Sequence, residues 1–265
     1  MKLYDIHTHI VFGVDDGSRS IEESIEMIKQ YIDSGFSGII ATSHYDKGRY
    51  LATKDKVLNG VEKIKEELER QNIDFEIYPG NEIQIDTDTI KDINDGKVMR
   101  LNNSRYVLCE LPFLTKPNYA ENLFYEMQLN GWVPIIAHAE RYSYVQEDPE
   151  YLLPFIKSGC LVQMNLSSLN RPDSRDVSYK LLERNMVHLL GTDAHQSKWR
   201  SPEVKEEIEK IKTIISEEKF ELLLSTNPRK VIDNKKISSD YNEIRQEKKD
   251  NLKSDKKDRK WFKFW

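Results

Sequence analysis

Short runs rich in β-branched and aromatic residues alternate along the chain with longer stretches of helical period. "LYDI" precedes "SIEESIEMIKQYIDSG", where Ile21, Ile25, Ile28 and Ile32 recur on one helical face and Gly35 supplies the stop. "SGIIATSH" leads to "KDKVLNGVEKIKEELERQ", and "DFEIYPGNEI" to a short helical piece around residues 88–95, with "GKVMRL" as a candidate extra strand. "RYVLCEL" is followed by "YAENLFYEMQLNG", "WVPIIAH" by "DPEYLLPFIKSG", "LVQMN" by "SRDVSYKLLERN", and "VHLLGTDAH" by "PEVKEEIEKIKTII". About seven β-α units of this kind predict an α/β fold. Its sheet is parallel with helices outside, either closed into a barrel or open and doubly wound.

Composition narrows the setting. With 265 residues, 38% hydrophobic and 32% charged, the chain can fill one sizeable core. No apolar run approaches the roughly 20 residues that span a bilayer. "MKLYDIHTHI" lacks the apolar segment and cleavage site of a signal peptide, so a cytoplasmic protein is expected. Cys109 and Cys160 both lie in apolar runs and read as buried thiols rather than a disulfide framework.

Charge is unevenly placed. Residues 235–265 carry 11 Lys/Arg against 6 Asp/Glu, which leaves 29 against 39 in the preceding residues. An acidic body argues against nucleic acid as a partner. From about residue 234 aliphatic residues thin out, and the stretch to residue 265 reads as a disordered tail. It ends in "KDRKWFKFW", whose basic and aromatic residues suit either a solvated tail or an element docking on anionic lipid.

The ionisable residues fall at strand ends. His7 and His9 follow the first strand, His44 ends the second, His138 ends the fifth, and His195 lies just past the last. Glu82 and Glu110 end the third and fourth, and Asp193 closes the last; only His188 departs, and it reads as a packed strand residue. In a parallel barrel the C-terminal strand ends converge on one face, so these residues would meet. Together with the Asp15-Asp16 pair they exceed a single tetrahedral site and suggest two or three ions. Nitrogen and oxygen ligands without thiolate suit manganese, iron(II) or zinc. One aspartate of the pair is also expected to cap the helix that begins near Ser20. Arg141 and Arg200, just past His138 and His195, fall on the same rim, where a guanidinium fork suits phosphate. A thiol-based phosphatase loop is excluded by spacing. Where Cys-x5-Arg would place its arginine, Cys109 meets Thr115 and Cys160 meets Leu166. No P-loop or dinucleotide fingerprint is present.

In this order, "DIHTHI", "TSH", "GNEI", "HAERY" and "GTDAH" resemble the PHP (polymerase and histidinol phosphatase) superfamily. The longer stretches "HTHIVFGVDDGSRS", "SRYVLCELPF" and "IIAHAERY" resemble its manganese-dependent bacterial tyrosine-protein phosphatases of capsule and exopolysaccharide systems. The resemblance spans residues 1–233, the expected barrel domain, and leaves 234–265 as the tail. It implies a distorted (β/α)7 barrel holding three ions, manganese above iron or zinc. The first ion would take His7, His9, Glu82 and Asp193, and Glu82 would bridge to a second held by Glu110 and His138. Asp16, rather than Asp15, would join His44 and His195 at the third, and Arg141 and Arg200 would contact phosphate. The implied activity is hydrolysis of phosphotyrosine by in-line attack of a hydroxide held between the ions, without a covalent intermediate. The implied partner is a membrane-associated tyrosine kinase, met at the inner face of the membrane. Histidinol-phosphate phosphatase and a non-catalytic regulatory module for such a kinase are the alternatives.

Overall fold

The computed structural model describes residues 1–238; the greater part of the expected tail, including its basic-aromatic end, lies outside the described residues. Eight strands form the sheet: β1 (Leu3–Thr8), β2 (Phe36–Asp46), β3 (Tyr50–Leu51), β4 (Glu76–Gln84), β5 (Tyr106–Glu110), β6 (Val133–Ile136), β7 (Leu161–Asn165) and β8 (Leu189–Gly191). Seven run parallel in the order β1-β2-β4-β5-β6-β7-β8, while β3 folds back antiparallel on the end of β2. The ends of β8 and β1 then meet. The Asp193 N–H donates to the His7 carbonyl at 2.9 Å, and the His9 N–H to the Ala194 carbonyl at 2.8 Å. The fold is therefore a nearly closed (β/α)7 barrel: of the two forms the repeated units allow, it is the closed one, which the family resemblance implies.

Two apolar layers hold it together. Inside the barrel, Ile6, Ile40, Leu108, Ile135, Leu161 and Leu189, each from a different strand, form one buried cluster. Val231, Ile232 and Ile237 close its lower end. The Tyr106 hydroxyl donates to the Lys235 carbonyl at 2.7 Å and accepts from the Ile237 N–H at 3.0 Å, so the chain packs against the barrel as far as Ile237. The second, larger layer lies between the strands and the surrounding helices.

Helix α1 (Ile21–Asp33) starts where the Ser20 hydroxyl accepts from the Glu23 N–H at 3.3 Å, and Gly35 leaves it with φ of 89°. Its buried face differs from the isoleucine stripe. Ser24, Ile25, Met27, Ile28 and Tyr31 point inward, whereas Ile32 is 39% exposed. The rotation has a polar cause: Ser24 Oγ donates to the Ile10 carbonyl at 2.7 Å, and the Tyr31 hydroxyl donates to Asp5 at 2.8 Å. "GKVMRL" is not a strand. The Asn81 side chain takes the Met99 N–H at 3.0 Å, so Val98 and Met99 are buried beside β4 without pairing to it. His188, immediately before β8, is buried, as expected of a packed residue.

Candidate metal centre

Parallel strands deliver their C-terminal ends to one face, and the nine residues expected to ligate ions come together there. The Nε2 atoms of His7 and His9 are 3.3 Å apart, both aimed at Glu82 and Asp193. Glu82 Oε2 lies 3.2 Å from His7 Nε2, 3.3 Å from His9 Nε2 and 3.0 Å from His44 Nδ1, yet makes no hydrogen bond among the described residues. Its other oxygen is 2.8 Å from His138 Nε2, which stands 3.4 Å from Glu110. Asp16 Oδ1, also without a hydrogen bond among the described residues, is 3.6 Å from both His44 Nε2 and His195 Nε2. Among the described residues, four groups bring their ligand atoms within 4.8 Å of one another: His9, Asp16, His44 and His195; His7, His9 and Glu82; His7, His138 and Asp193; and His44, Glu82 and Glu110.

This donor set fits divalent cations. The outward nitrogens of His7 and His9 are already committed, Nδ1 of His7 to Gln163 Oε1 at 3.0 Å and Nδ1 of His9 to Asp15 Oδ2 at 2.9 Å. Their Nε2 atoms, pressed against buried carboxylates, must share either protons or cations with them. Protonation preferences follow the same crowding. Burial disfavours charge on Glu82, but His7, His44 and His138 outweigh it and hold the carboxyl well below its ordinary range. Burial works against a proton on His138, yet Glu110 and Glu82 raise it to about 9. His195, desolvated and beside His9, Arg200 and His44, is pushed down to about 2. Where a proton is held between His138 and two carboxylates, a cation can replace it.

Asp15 and Asp16 divide their work differently from the sequence expectation. Neither caps the following helix, because Ser20 does so. The Asp15 side chain is buried and accepts from the Gly17 and His44 N–H groups while orienting His9, which fixes the loop around the cluster. Asp16 alone points its free oxygen at His44 and His195.

Arg141 Nη1 lies 3.0 Å from Asp193 Oδ2, and Arg200 pairs with the same oxygen. Arg200 also reaches His195 Nε2 at 3.1 Å. Both arginines line a cavity of about 240 Å³ together with Asp16, His44, Glu110, His138 and Asp193. Phe113, Tyr50 and Arg49 also line it, with Asp46 and Gln84. The Phe113 ring stacks on His138 with centroids 5.5 Å apart, and the Arg141 guanidinium lies 4.9 Å from its centre. Three of the residues here, His138, Asp193 and Arg200, adopt left-handed backbone, with φ of 31°, 54° and 50°. Non-glycine residues held in that region are a mark of functional sites.

Sequence reasoning passed over Asp15 as an orienting group, together with Phe113 and the polar pair Gln163 and Asn165 on β7. The last had a visible signal: two polar residues at a spacing of two inside the otherwise apolar "LVQMN".

A parallel barrel with clustered imidazoles and carboxylates at its strand ends, faced by two arginines, defines a metal-dependent hydrolase of the phosphate-ester kind. A family model described as capsular polysaccharide synthesis, CpsB/CapC, matches residues 3–233, and the chain belongs to that family. The tyrosine-protein phosphatase YwqE of Bacillus subtilis (strain 168) is 34% identical over 202 residues, covering 75% of this chain and 80% of that protein. The putative tyrosine-protein phosphatase CapC of Staphylococcus aureus is 36% identical over 196 residues, covering 73% and 77%. A solved structure from work on YwqE and Streptococcus pneumoniae CpsB, described as unique metal-dependent tyrosine phosphatases, superposes with a TM-score of 0.84 at 32% identity, covering 89% of this chain and 96% of that one.

Proposed function

We propose that this chain is a metal-dependent protein-tyrosine phosphatase acting in capsule or exopolysaccharide synthesis. What supports it most directly is the convergence of two guanidinium groups and an imidazole-carboxylate cluster on one cavity of about 240 Å³. His7, His9, Glu82 and Asp193 would hold one ion, Glu82, Glu110 and His138 a second, and Asp16, His44 and His195 a third. Mixed nitrogen and oxygen ligation without thiolate suits manganese, iron(II) and zinc alike; manganese is the ion we assign, on the strength of the family resemblance. Such ions supply positive charge for phosphoryl oxygens and make water a competent nucleophile near neutral pH.

The chain's own residues do the rest. Arg141 and Arg200, both resting on Asp193, present guanidinium faces to the cavity and would clasp the phosphoryl oxygens of an incoming ester. Phe113, on the same cavity wall, packs its ring against the Arg141 guanidinium. A tyrosyl leaving group, with a pKa of about 10, departs as phenolate with little proton donation, so no dedicated general acid is required. A cysteine nucleophile is disfavoured. Cys109 and Cys160 are buried, which pushes the first thiol well up and the second to about 12.

The phosphoprotein we assign is a membrane-associated bacterial tyrosine kinase, on the strength of the family resemblance. The basic-aromatic end of the tail would bring the barrel to the inner face of the membrane. We keep the division into a barrel of residues 1–233 and a tail of 234–265 as part of this proposal.

The test is phosphate release from a phosphotyrosyl peptide by metal-stripped and by manganese-reconstituted protein. Release with manganese alone is the expected result. Manganese binding without release would overturn the tyrosine assignment and direct the assay to histidinol phosphate.

A further inference from the structure

Of the seven parallel strands, β7 is the one whose end carries none of the nine candidate ligands. It nonetheless sends two buried amides, Gln163 and Asn165, beneath the cluster. Gln163 Oε1 accepts from the backbone N–H of His138 at 2.8 Å and lies 3.0 Å from His7 Nδ1. Gln163 Nε2 donates to Asn165 Oδ1 at 2.8 Å, and Asn165 Nδ2 donates to Asp193 Oδ2 at 2.9 Å.

The direction of this chain of bonds is forced from one end. A backbone N–H can only donate, so the atom facing His138 must be the amide oxygen of Gln163. That oxygen cannot donate to His7, so His7 Nδ1 carries the hydrogen and its Nε2 is left facing Glu82 and Asp193. With its oxygen committed, Gln163 can only donate to Asn165. Asn165 must then turn its NH2 toward the outer oxygen of Asp193, which leaves Oδ1 directed at the two histidines.

We propose that Gln163 and Asn165 are positioning residues of the metal centre: they set the His7 tautomer and the Asp193 rotamer from one strand. Groups one bond removed from a metal typically change its affinity about 10–100-fold when lost. The proposal rests on the metal-site reading and extends it to residues that touch neither ion nor phosphate.

The experiment uses the full chain, chelator competition with Zn²⁺ as the probe for affinity, and ¹⁵N histidine NMR of the metal-free chain for the tautomer. Gln163→Met removes both legs; it should weaken Zn²⁺ uptake about 10–100-fold and release His7 from a single Nδ1–H form. Gln163→Glu keeps an oxygen for His7 and His138 but cannot donate to Asn165, so the His7 signature should persist. Should Gln163→Met not fold, Asn165→Ser carries the test, with weaker uptake and an unchanged His7 signature expected. Uptake within about twofold of the parent in Gln163→Met or Asn165→Ser overturns the proposal while the metal reading stands. Failure of the parent chain to take up Zn²⁺ overturns both.

Discussion

Acid should weaken this fold through a histidine outside the candidate ligand groups. His188 is buried; its Nδ1 accepts from the Val162 N–H at 3.2 Å, and its Nε2 has no hydrogen-bond partner among the described residues. Burial, reinforced by the charge of Lys219, pushes the imidazole down to about 3. The native state therefore keeps His188 neutral at pH values where the unfolded chain, titrating near 6.5, already binds a proton. Stability from this residue is fully present above about pH 6.5 and is lost as the pH falls toward about 3. Linkage puts the loss between pH ~7.5 and pH ~5 at about 2 kcal/mol. His188→Asn offers an oxygen near the position of Nδ1 but cannot titrate. Urea denaturation of both chains in the presence of a chelator compares their pH dependence without cation binding. The parent should lose about 2 kcal/mol more than the variant over that interval, which a thermal melt would register as about 4–8 °C. Parallel curves for the two chains would refute a buried neutral His188.

Chelation should lower the melting temperature of the protein: cations at about 100 times their dissociation constant stabilise by about 2.7 kcal/mol, or roughly 5–11 °C by calorimetry. An unchanged melt would argue against cations bound to the native state. Gly17→Ala should destabilise by a few kcal/mol, on the order of the largest single-site effects, and weaken Zn²⁺ uptake, because a Cβ there would stand 2.0 Å from the His9 carbonyl oxygen. Full Zn²⁺ affinity in that variant would show that the loop relaxes without moving His9. Tyr142→Phe should cost about 1–3 kcal/mol in urea unfolding, since the buried Leu111 N–H loses its 2.9 Å partner. A loss under about 0.5 kcal/mol would mean that N–H finds another acceptor.

Much of the fold was legible because apolar periodicity is set by burial, and burial in a parallel barrel repeats from unit to unit. The errors occurred where a polar side chain faces inward. Ser24 and Tyr31 stand outside the isoleucine stripe of α1, yet each faces inward and is satisfied by a group on the barrel, the Ile10 carbonyl and Asp5. "GKVMRL" has the composition of a strand, but Asn81 takes a backbone N–H there that a neighbouring strand would otherwise have bonded. In both cases the deciding partner is distant in sequence, and no local period records it.

The centre shows the same division. Which residues meet was readable, because strand ends in this architecture converge whatever lies between them. How they are oriented was not. Asp15 and Asp16 are adjacent and chemically identical, so their own chemistry does not separate them and only the family resemblance favours Asp16; the fold sends Asp15 to His9 Nδ1 and Asp16 toward His44 and His195. Arg141 and Arg200 share one oxygen of Asp193, while Asn165 reaches that oxygen from below and leaves the other facing the histidines. A single carboxylate thus links the cation side of the cavity to the guanidinium side. A phosphoryl group drawing the arginines away from Asp193 would leave that aspartate more fully to the histidine side, so anion and cation binding should reinforce one another.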